Sequence, residues 1–83
     1  MDKVLVEIYI PALDVSFDVF VPLQSQMSEV LELIKKAATE MSDGRFIADK
    51  NTAICHREDG TIININLSVF ELEIRNGSKL MLI

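Results

Sequence analysis

The stretch Val69-Phe70-Glu71-Leu72-Glu73-Ile74-Arg75-Asn76-Gly77-Ser78-Lys79-Leu80-Met81-Leu82 decides how this chain folds. Val69 and Leu72 fit a short helical turn, and Ser68 just before it is placed to cap that turn. Asn76-Gly77 signals a reversal, because glycine accepts the positive φ that a tight turn needs. Lys79 to Ile83 then reads as a strand. Leu80 and Leu82 share one face of it, while Met81 and Ile83 share the other.

A strand with one apolar face needs partners, and the N-terminal third supplies them. Val4, Val6, Ile8 and Ile10 alternate with Leu5, Glu7 and Tyr9, the pattern of a half-buried strand. Pro11-Ala12-Leu13-Asp14 interrupts it. Val15, Phe17, Val19 and Val21 then alternate with Ser16, Asp18 and Phe20 up to Pro22, which predicts an N-terminal hairpin. From Met27 the period changes: Met27, Val30, Leu31, Ile34, Ala38 and Met41 fall on one stripe of a helix over about 26–42. Ser25 or Ser28 is placed to cap its start, Glu32 and Lys36 to pair across one turn, and Gly44 to take the left-handed position past its end. Residues 45–51 read as a connecting loop. Ala53 to Arg57 reads as a short strand, Asp59-Gly60 as a turn, and Thr61 to Asn64 as a returning strand. The element order is ββαβ, then a short strand and helical turn, then β, in a single domain over residues 1–83.

Composition excludes several functions. The chain has 83 residues, 49% of them hydrophobic, with 13 acids against 8 bases for a net charge of −5. No basic stripe is available to neutralise phosphates, so nucleic acid is not an expected partner. No apolar run reaches the length of a membrane span, and the start has no secretory signal pattern; direct membrane insertion is not expected, and a cytoplasmic location is. The one cysteine, Cys55, cannot form an internal disulfide, and no metal-ligand spacing occurs, so neither metal nor cofactor is expected. The adjacent Cys55 and His56 would point to opposite faces of a strand, which argues against a catalytic dyad, and no other catalytic residue stands out. Asp43, Asp49, Glu58 and Asp59 lie in loops without the dense run of a calcium loop.

Taken together, the C-terminal pattern V-x-x-L-x-I-x-x-G-x-x-L-x-L resembles the ubiquitin-like β-grasp family over almost the whole chain, which implies an α+β fold with a mixed sheet of four to five strands packed on one helix. Phe17-Asp18-Val19-Phe20-Val21-Pro22 followed by the helix from Met27 resembles, more narrowly, the small bacterial YukD-like proteins, which include EsaB. That resemblance implies a cytosolic accessory or regulator of type VII secretion that acts by contact, not catalysis. Its partner would be a protein, such as a component of the secretion apparatus. Modifier and sulfur-carrier members of the wider family act through a Gly-Gly tail; here no glycine follows Gly77, which disfavours covalent transfer. A carrier role and an adaptor role in an unrelated pathway stay as the rival readings.

If the alternate residues build the core, Leu5, Cys55, Met81 and Ile83 face outward, with Phe20 outward near a sheet edge. By the resemblance, Cys55, Met81 and Ile83 stand where ubiquitin carries its recognised apolar patch. These five residues are the candidate protein-binding patch, with a homodimer through an open edge as the other use of this side of the molecule.

Overall fold

A computed structural model describes residues 2–83. Its order is β1 (Lys3–Ile10), β2 (Val15–Pro22), α1 (Met27–Met41), β3 (Ile54–His56) and β4 (Lys79–Leu82). β1 and β2 form the expected antiparallel hairpin, in register from Lys3↔Pro22 to Ile10↔Val15. β4 inserts parallel to β1 and antiparallel to β3, so the sheet runs β2-β1-β4-β3. This mixed sheet against one helix is the α+β, ubiquitin-like β-grasp arrangement.

The two central strands carry the most regular core. Val4, Val6, Ile8 and Ile10 of β1 and Leu80 and Leu82 of β4 are buried with Ile54 of β3 against Met27, Val30, Leu31, Ile34 and Ala38 of α1. Met41 departs from the expected stripe: in the last turn of the helix it is 43% exposed. Phe46, in the segment read as a connecting loop, is buried in the core. The amide of Phe46 donates to Ser42 Oγ at 2.9 Å, and Ser42 is itself buried.

The ends of α1 show how far local signals carry. Neither Ser25 nor Ser28 caps the start, where Gln26 stands at the cap without a side-chain bond. Instead the amide of Met27 donates to the Leu67 carbonyl at 2.8 Å, and that of Ser28 to the Ile65 carbonyl at 2.9 Å. A distant segment thus satisfies donors that every helix start leaves open. At the other end the amide of Gly44 donates to the Thr39 carbonyl, and that of Asp43 to the Glu40 carbonyl. Asp43 and Gly44 both have positive φ, so an aspartate takes the left-handed position one residue before the expected glycine. Lys35, not Lys36, reaches Glu32, at 3.1 Å.

The second expected hairpin is weaker than its sequence. Thr61 to Asn64 does not extend the sheet to a fifth strand; Cys55↔Ile62 is a single bridge. Ile63 turns into the core while Ile62 stays 68% exposed. The turn at Ser68 forms as a reciprocal box, although not as a regular helix: Glu71 N–H donates to Ser68 Oγ at 3.0 Å and Ser68 N–H to Glu71 Oε1 at 2.9 Å. Ser68→Ala is therefore expected to cost about 1 kcal/mol in urea unfolding, and Ser68→Asp much less.

Candidate functional site

The outer face of the sheet can be rebuilt from register alone. One row crosses the sheet from Ser16 to Tyr9, Met81 and Cys55, and ends at Ile62 beyond β3. A second row crosses from Asp18 through Glu7 to Lys79. The third is the pair Leu5↔Phe20. Ile83 lies past Met81, where it exchanges two backbone hydrogen bonds with Ala53 at 2.8 and 2.9 Å.

This geometry divides the five expected patch residues. Leu5 and Phe20 are cross-strand neighbours at one end of the face, with Phe20 64% exposed and Leu5 half-buried. Met81, half-buried, and Ile83, 52% exposed, lie at the other end. Between them runs a charged belt of Asp18, Glu7, Lys79 and Arg57. The Arg57 guanidinium lies 3.1 Å from Glu7 Oε1 and stacks 4.2 Å from the centre of the Tyr9 ring. Tyr9 in turn donates its hydroxyl to Asp14 Oδ1 at 2.8 Å, a bond that pushes the phenol pKa up.

Cys55 needs correction as a surface residue. It is fully buried, in the row between Met81 of β4 and the bridged Ile62. Burial pushes its thiol pKa up, which leaves little thiolate to react. In the folded protein the thiol should resist alkylation at neutral pH and react fully in denaturant; fast labelling of the native protein would contradict its burial.

Two residues that extend the patch were missed by the sequence reading. Tyr9 alternates with the same outward set as Leu5, so its position was available from period two alone. Ile62 was not, because Ile62 and Ile63 are adjacent apolar residues and the strand period does not choose between them. The apolar area that survives at this end is therefore Met81, Ile83 and Ile62, bordered by the Tyr9–Arg57 stack.

Among the described residues no group of three or more His, Cys, Asp or Glu side chains is placed to hold a metal ion. No described helix is long and apolar enough to cross a membrane. Cys55 and His56 alternate as neighbours on β3, and His56 lies opposite Leu80 rather than beside the thiol.

No protein-family model and no curated protein matches the sequence. Solved structures do. The chain is similar to the ubiquitin-like domain of EccD5 from Mycobacterium xenopi, with a TM-score of 0.83 and 22% identity over 100% of this chain and 94% of that one. It is similar to the ubiquitin-like domain of the type VII secretion protein EccD1 of Mycobacterium tuberculosis, with a TM-score of 0.79 and 17% identity over 100% and 99% of the two chains. The ubiquitin-like domain of Plasmodium falciparum Dsk2 also matches, with a TM-score of 0.69 and 17% identity over 98% and 96%. At these identities the likeness establishes the ubiquitin-like fold.

Proposed function

We propose that this chain is a non-enzymatic, ubiquitin-like interaction module of a type VII secretion system, of the YukD-like kind, acting in the cytoplasm. The observation that carries the proposal is the full-length overlay on the EccD5 domain, which leaves no part of this chain unmatched. The YukD-like reading adds the Phe17-to-Pro22 strand and the helix that follows it. Docking would use the apolar end of the outer face, where Ile62, Met81 and Ile83 offer contact area and Arg57 and Lys79 offer charge. The arrangement supplies shape and charge, and no nucleophile or acid–base pair is part of the reading.

Deleting the gene in its native host and assaying secretion tests the function. Loss of export, or changed levels of the exported substrates, is the expected result; unchanged export and unchanged substrate levels would overturn the reading. Complementing the deletion with Met81→Thr/Ile83→Thr tests the face separately. A folded double variant should restore export poorly, and full restoration would remove this face as the interface.

A further inference from the structure

β2 ends the sheet, and its free side has the features of a docking edge. The hydrogen bonds of β1 fix which groups are free. Leu5 and Glu7 direct their backbone groups to the β4 side: Gly77 N–H donates to the Leu5 carbonyl, and Glu7 N–H to the Ser78 carbonyl. Val4, Val6, Ile8 and Ile10 therefore bond β2, through Val21, Val19, Phe17 and Val15. Ser16, Asp18 and Phe20 are left pointing their N–H and C=O groups away from the sheet, and among the described residues none of these groups has a backbone partner.

The side chains beside this edge are also incompletely covered. Val15, Phe17 and Val19 face the helix layer yet are only half-buried, unlike their fully buried neighbours on β1. The loop leading to β3 lies along the Lys35 and Thr39 flank of α1. The opposite flank of the helix presents Leu33 at 59% and Met41 at 43% exposure. An added strand would satisfy the free backbone groups and cover apolar side chains at alternate positions.

Charge selects the occupant. Residues 4–34 contain Glu7, Asp14, Asp18, Glu29 and Glu32 and no Lys, Arg or His, while the other residues hold 8 acids and 8 bases. Counting Lys3 at the start of β1, the hairpin and the first half of the helix carry −4 of the net charge of −5. Glu7 and Asp18 stand directly opposite one another across β1 and β2, and Arg57 reaches only Glu7. Among the described residues Asp18, unlike Glu7, has no salt-bridge partner, so its charge is left to attract a basic group. A second copy of the chain would bring an acidic edge against an acidic edge.

We propose that the β2 edge binds an extended segment of a partner protein, apolar at alternate residues and basic at the others, by strand addition along Ser16, Asp18 and Phe20. This surface is separate from the apolar end of the outer face and does not rest on the secretion reading.

The test is amide hydrogen exchange by NMR on the intact chain, titrated with a short synthetic peptide alternating lysine with valine. Exchange at Ser16, Asp18 and Phe20 should slow severalfold and their resonances shift. Asp18→Lys should weaken binding by about tenfold, less so at high salt. The same peptide with N-methyl groups on alternate amides, or with glutamate for lysine, should not bind. No slowing at these three amides, or equal slowing with a block peptide of the same composition, would overturn the proposal. Slowing that needs no peptide and grows with protein concentration would overturn it in favour of a second copy.

Discussion

Leu80→Ala is expected to remove about 2–5 kcal/mol of stability, read as a lower urea midpoint with an unchanged slope. Leu80 is 1% exposed and lies on β4, between β1 and β3, with Ile8 and His56 as its cross-strand partners. Truncation there opens a cavity between the sheet and the helix, and the strands cannot close it without breaking ladder bonds. For a domain of this size the total is on the order of 4–12 kcal/mol, so much of the fold is at stake. The neighbouring Met81→Ala, on the half-buried outer face, should cost about 1 kcal/mol or less. A loss below about 1 kcal/mol for Leu80→Ala would show that this face of β4 is not the core face.

Phe46→Ala should cost about 3 kcal/mol in the same measurement. Its ring is only 9% exposed and packs into the core from a segment without regular structure. Ser42 Oγ fixes the backbone at that point by accepting the Phe46 amide at 2.9 Å and donating to the Thr39 carbonyl at 3.2 Å. Ile47, next in the chain, is 80% exposed, and Ile47→Ala should fall within about 0.5 kcal/mol of the parent. Equal effects at the two positions would mean that the segment does not hold one fixed orientation.

These two sites also mark what was readable in advance. The place of Leu80 follows from alternation within one strand, a property of the backbone that needs no other part of the chain. The place of Phe46 does not, because a loop has no period, and the space for its ring exists only after the helix end has turned at Asp43 and Gly44. Met41 shows the converse. It keeps the helical period, yet it is 43% exposed, so the period alone does not secure burial at the helix end.

The candidate patch divides along the same line. That Leu5, Phe20, Met81 and Ile83 face away from the helix was legible from period two. That they form two separate groups was not, because neighbours across a sheet depend on strand order and register. The charged belt between them appears only when Glu7 is set beside both Asp18 and Lys79. The burial of Cys55 was equally illegible: alternation puts it outward, and the return of Ile62 beside it through one bridge is not marked by any local pattern.

The sequence by itself determined the hairpin, the helix, the turns at Asp59-Gly60 and Asn76-Gly77, the inward face of each central strand and the acidic excess. All of these arise from contacts or conformations within a few residues, where spacing and side-chain type suffice. Only the tertiary structure decided the helix cap by the Ile65 and Leu67 carbonyls, the burial of Phe46 and Cys55, the division of the outer face and the open backbone of β2. Each of those depends on which distant segment arrives beside a given residue, and that is set by packing the sheet and helix together as a whole.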